Sequence, residues 1–240
     1  MNRREQVLER MRTALRSEAQ VDLHVYPLQL DFDDGAATLE GETANIAAKK
    51  LALEVVAALP EVAGVVDRLQ VRSAAPMGDR EIGNHVRDAF VQEPAFADCA
   101  LYVRNNGDGE QVQAPDDRIG EIEIAVADGV VTLNGYLPTL ARKRLAGVLA
   151  WWIPGSRDVI NGVAVDPPEE DSGESIADAV GIVLEKDPFV DAARIRLSVR
   201  DAVVTLFGQV PTESEREMAV FDAWYVFGVD KVVVEIEVRP

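Results

Sequence analysis

Apolar and polar positions alternate with a period of two at three places in the chain: Leu28, Leu30 and Phe32; Ile122, Ile124 and Val126; Ile195, Leu197 and Val199. That period puts successive side chains on opposite faces of an extended backbone and predicts half-buried strands. Each strand runs into a short turn. Asp34-Gly35 and Asp128-Gly129 supply the left-handed residues of a tight hairpin. Asp201-Ala202 holds the same place in the third stretch, where alanine is a poorer turn residue, so that hairpin is expected to differ in detail. The returning strands carry Thr38-Leu39, Thr132-Leu133 and Thr205-Leu206, and end at Gly41, Gly135 and Gly208.

The period then changes to that of a helix. The spacing predicts inner faces made of Ala47, Leu51, Val55 and Leu59; of Ala141, Leu145, Leu149 and Ile153; and of Ser214, Met218, Asp222 and Val226. Asp222 interrupts the last of these faces, which predicts a slight rotation of that helix. Pro138-Thr139 and Pro211-Thr212 read as starts, with proline in the first turn. Pro154-Gly155 and Phe227-Gly228 read as stops. A final alternating strand closes at Val71, Val165 and Val238, at the same interval from the preceding glycine every time. Ahead of each hairpin lies one more helical pattern, near residues 3–17, 79–91 and 174–186.

Three gapless copies of one pattern mean a tandem repeat. The fold class is α+β: three α-β-β-α-β units, each with two helices on one face of a three-stranded mixed sheet. The expected units are residues 1–72, 79–166 and 173–240, joined by short linkers rich in proline, glycine or acid. The second unit holds an extra polar stretch, residues 105–118, which is expected to lengthen the connection into its hairpin.

The Asp-Gly hairpin, the Val-Thr-Leu-x-Gly strand, the helix and the Gly-Val-x-x-Val-x-x-x-Leu-x-Val close resemble the BON domain. Glu61 departs from the pattern where the other copies have Gly155 and Gly228. The resemblance implies a non-catalytic module that binds phospholipid surfaces, small ligands or proteins. One type of relative is a cytoplasmic potassium-binding protein. The glycines that carry the motif (Gly35, Gly41, Gly129, Gly135 and Gly208) are structural.

Composition narrows the partners. Lys and Arg number 24 against 42 Asp and Glu, a formal charge of −18. Nucleic-acid binding rests on basic surfaces, so it is not expected, although Arg142, Lys143 and Arg144 form a local basic stripe. The same field disfavours anionic membranes. Residues 1–10 lack the apolar run of an export signal, which makes a cytoplasmic location the expectation.

Nothing in the sequence gathers into a catalytic set. His24 and His85 are the only histidines and Cys99 the only cysteine, which is expected to be a buried, inert thiol. No enzyme activity, cofactor or dedicated metal site is expected. Weak cation candidates are Asp31, Asp33 and Asp34 at the first hairpin and Asp108 and Glu110 in the polar stretch, which supply oxygen ligands without completing a calcium loop.

The aromatic residues say more. Trp151 and Trp224 lie about 120° from the core direction at 100° per residue. Val220 and Phe221 make the third repeat's second helix apolar on nearly every side. Such a helix is buried on both sides, which makes Trp151, Trp224, Val220 and Phe221 interface candidates, for packing between repeats or against a protein partner. The expected function is a binding or scaffold protein for protein partners or for itself. The alternative is a stress-linked module for a phospholipid surface or a monovalent cation such as potassium.

Overall fold

The computed structural model describes residues 2–105 and 108–239, with the side chains of Asn105 and Asp108 outside the description. In the first repeat α1 (Arg3–Ser17) precedes the antiparallel pair β1 (Gln29–Asp33) and β2 (Ala36–Thr43). After α2 (Ile46–Ala57), β3 (Gly64–Val71) returns parallel to β2, giving the sheet order β1-β2-β3. Asn2 opens α1 with a capping box, its side chain accepting from Glu5 N–H while the Glu5 side chain accepts from Asn2 N–H. Met11, Leu15, Phe32, Leu39, Ala52, Val56 and Leu69 form the core between helices and sheet.

The second repeat runs α3 (Asp79–Gln92), β4 (Cys99–Asn105), β5 (Asp108–Gln113), β6 (Gly120–Ala127), β7 (Val130–Leu137), α4 (Leu140–Trp151), β8 (Asp158–Asn161) and β9 (Ala164–Val165). Its sheet has six strands, ordered β5-β4-β6-β7-β8 with β9 also on β7. This corrects the expectation of a three-stranded sheet here. Part of the polar stretch 105–118 is strand β5, and β4 lies parallel to β6. Leu101 and Val103 alternate with Tyr102 and Arg104 and are buried in the core, the signal that identifies β4. The closing strand breaks at Gly162, whose N–H still donates to Leu133 O at 2.8 Å.

The third repeat is α5 (Gly173–Lys186), β10 (Ile195–Arg200), β11 (Val203–Val210), α6 (Glu213–Tyr225) and β12 (Lys231–Val238), with sheet order β10-β11-β12. Its hairpin does not differ from the others. Asp201 and Ala202 take φ of 49° and 61°, beside 54° and 77° for Asp128 and Gly129. The turn geometry is imposed by strand twist, and alanine accepts it at a cost.

Two further expectations shift by one residue. The caps of α4 and α6 are Thr139 and Thr212, whose side chains accept from Arg142 and Glu215 N–H, so Pro138 and Pro211 stand just outside the helices. The fully buried stripe of the second helices is Ala52 and Val56, Ala146 and Ala150, Ala219 and Ala223. It lies one position beyond Leu51, Leu145 and Met218. Small side chains let each helix sit close to its sheet, and the larger ones pack along the flanks.

Contacts divide the described chain into two compact units, one ending at Arg72 and one beginning at Ser73. The second unit therefore contains two repeats.

Candidate functional site

A cluster of buried polar and aromatic side chains lies where the second and third repeats meet. Helix α4 packs against both α5 and α6 there. Arg144 is 0% exposed. Its guanidinium donates to Phe227 O at 2.9 Å, to Ser175 Oγ at 3.1 Å and to the Asp171 carboxylate. These partners belong to the loop after α6, to α5 and to the linker before α5. A buried guanidinium needs this many acceptors to offset its desolvation. Lys143 lies over the Phe227 ring at 5.4 Å, and Leu140 N–H donates to Glu169 at 2.7 Å. At the far end of the third repeat's first helix, Lys186 donates to Glu93 Oε1 at 2.8 Å.

The aromatic part of the seam is built by the C-terminal ends of α4 and α6. Trp151 stacks on Tyr225 with ring centroids 5.6 Å apart and an interplanar angle of 19°. Trp152 Nε1 donates to Asp222 Oδ1 at 2.9 Å. Asp222 is 3% exposed, and its Oδ2 has no hydrogen-bond partner among the described residues. Burial, followed by the nearby Asp187 carboxylate, pushes the Asp222 carboxyl up to about 8. At neutral pH it therefore keeps its proton and can donate to Asp187, which satisfies the orphan oxygen. Burial, with Asp222 a lesser cause, also raises the Tyr225 phenol to about 12.

Of the interface candidates, Trp224 is fully buried, while Trp151, Val220 and Phe221 are half-buried. Sequence reasoning missed Trp152, Tyr225, Asp222 and Arg144 as seam residues. One signal was present, since Asp222 broke an apolar face, while Arg144 was masked by its basic neighbours Arg142 and Lys143. The basic stripe is dispersed: Arg142 pairs with Asp98 at 2.7 Å, Lys143 covers a ring and Arg144 enters the seam.

The cation candidates do not converge on one another. The Asp31 carboxylate accepts from Arg4 and from Phe32 N–H, and the Arg4 contact holds it below the usual carboxylate range. Asp33, Asp34 and Glu110 are exposed, and the Asp108 side chain lies outside the described residues. Among the described residues no group of three or more His, Cys, Asp or Glu is placed to hold a metal ion. Cys99 is buried, and desolvation followed by the Asp98 charge raises its thiol to about 11. A thiol so raised stays protonated and unreactive. A cleft of about 540 Å³ beside the β6–β7 turn is lined by Met77, Asp79, Asp128 and Arg157 among others. The Asp79 carboxylate in it accepts from the N–H groups of Asp128 and Gly129, a bracing role for the turn. No described helix is long and apolar enough to cross a membrane.

Comparison with known proteins adds the family. The model of the BON domain matches residues 5–73, 111–167 and 172–240. The middle match begins beyond α3 and β4, where the added strands interrupt the repeat. No curated protein matches the chain. Among solved structures, the C-terminal domain of CdsD, the structural protein of the type III secretion system of Chlamydia trachomatis, is 15% identical. That comparison covers 98% of both chains at a TM-score of 0.26. A second CdsD structure from the same organism is 16% identical over 98% of this chain and 93% of its own, also at 0.26. Likeness at that level carries no argument about function.

Proposed function

Because the chain belongs to the BON domain family, we propose that it is a non-enzymatic binding or scaffold protein whose modules recognise protein partners or further copies of itself. The observation that supports this reading is the seam between the second and third repeats. There one module meets another through two indoles, a buried arginine and a buried aspartate. Such a mixture of aromatic and arginine anchors in a desolvated contact is the chemistry of protein interfaces.

Two measurements on the purified chain test this reading against lipid or potassium binding. Sedimentation velocity over a wide concentration range is expected to show reversible association, and vesicles of anionic phospholipid are expected to leave the protein unbound. Thermal midpoints in potassium, sodium and calcium at matched ionic strength are expected to coincide, because a ligand that binds only the folded state would raise its own midpoint. A rise specific to potassium, or flotation with the vesicles, moves the function to the ligand class.

A further inference from the structure

The three repeats differ at one edge of their sheets. In the second, β4 covers β6 in parallel register, with Leu101 beside Ile122 and Val103 beside Ile124. Ile122, Glu123 and Ile124 hold the places that Ile195, Arg196 and Leu197 hold in the third repeat. There β10 ends the sheet. The turn-closing pair Arg200 and Val203 is followed by alternation, so Ser198 and Arg196 bond to β11 while Leu197 and Val199 turn their N–H and C=O groups to the open side. Among the described residues nothing bonds to those groups. The side chains record the same difference: Ile124 is 0% exposed, whereas Leu197 is half-buried. Phe189, in the loop leading into β10, is 71% exposed.

The first repeat blocks its edge at one residue, Phe32. Arg4 Nε donates to Phe32 O at 3.0 Å, and Phe32 N–H is taken by the Asp31 carboxylate at 2.7 Å. Among the described residues no such hydrogen bond is made to β10, where Gly173 at the start of α5 lies beside Val199 without bonding to it. An unblocked edge with apolar residues under it is a template for an added strand.

Charge identifies the occupant. On the solvent face of the second repeat, Arg104 of the covering strand donates to Glu123 at 2.7 Å. The third repeat has Arg196 in place of Glu123, with Arg200 further along the strand. Both are exposed and neither has an ion-pair partner among the described residues. The sign of the receiving strand is inverted, so the sign of the covering strand must be inverted as well.

We infer that the free edge of β10 docks an extended segment of a protein partner, added as a strand parallel to β10, with apolar residues turned inward and acidic residues beside Arg196 and Arg200. This rests on the reading of the chain as a protein-binding module and names what that module takes.

Amide NMR spectra of the full chain, titrated with a synthetic peptide alternating glutamate with leucine and valine, test it. Saturable shifts are expected at Leu197 and Val199, with the lysine-for-glutamate peptide binding roughly tenfold more weakly. The double variant Arg196→Glu/Arg200→Glu, altered only at exposed positions, is expected to reverse that order. Absence of shifts on β10, or equal response to both peptides, overturns the site. Shifts confined to other elements also overturn it, while leaving the binding reading intact. That reading fails on the separate cation and vesicle results, so the two are distinguishable.

Discussion

At Gly135 and Gly208 the backbone takes φ of 115° and 149°, and a Cβ there would run into the carbonyl oxygen of Glu121 on β6 or of Arg194 just before β10. These positions need glycine for both conformation and close approach. Gly41 is the milder case, since its Cβ would first meet the Leu28 side chain at 3.0 Å. Ala202 presents the reverse problem, a side chain in a left-handed position at φ 61°. Gly208→Ala is therefore expected to destabilise the third repeat by on the order of 3 kcal/mol. Ala202→Gly is expected to stabilise it by about 0.5–1 kcal/mol, the relief of left-handed strain less the added freedom of the unfolded chain. Urea midpoints of the two variants check this, and a loss of stability in Ala202→Gly would show that the turn carries no strain.

Helices α4, α5 and α6 meet around an acid that has been denied water. The Asp222 carboxyl in the folded chain is raised from 3.8 to about 8. The folded state thus holds the proton more tightly than the unfolded state. Its contribution to stability is full below about pH 4 and is lost as pH rises through about 8. Asp187 faces the group from the end of α5, Trp152 from the end of α4, and Tyr225 lies on the same helix. Asp222→Asn keeps the acceptor for Trp152 and supplies a permanent donor toward Asp187. Thermal scans are expected to place this variant level with the parent below about pH 4 and increasingly above it as the pH rises to about 9. A difference independent of pH would mean that Asp222 is already ionised in the folded chain.

Across the second compact unit the two repeats share one seam but keep separate sheets. Hydrogen exchange on the whole chain is expected to show the core strands of both repeats opening together. Arg144→Met keeps the bulk but leaves Phe227 O without its donor, at a cost of about 2 kcal/mol. Half-exposed Asp171 regains water in the variant, which limits the loss. Exchange in β10, β11 and β12 is then expected to run ahead of β6 and β7, because the second repeat has the larger sheet. Parallel exchange in parent and variant alike would show that Arg144 does not couple the repeats.

The sequence by itself determined the repeat, the α-β-β-α-β order common to its copies and the glycines, because these depend on local periodicity and backbone geometry, which each copy states independently. It also marked Trp151 and Trp224 as apolar surplus on their helices. The tertiary structure alone decided what that surplus touches. Stacking of Trp151 on Tyr225, the Trp152–Asp222 bond and the burial of Arg144 join residues far apart in the chain, and pairing at that range leaves no period to read. Strand β4 went unread for the same reason. Its Leu101 and Val103 alternate over too short a run to separate from a loop, until β6 supplies the ladder that makes them a strand.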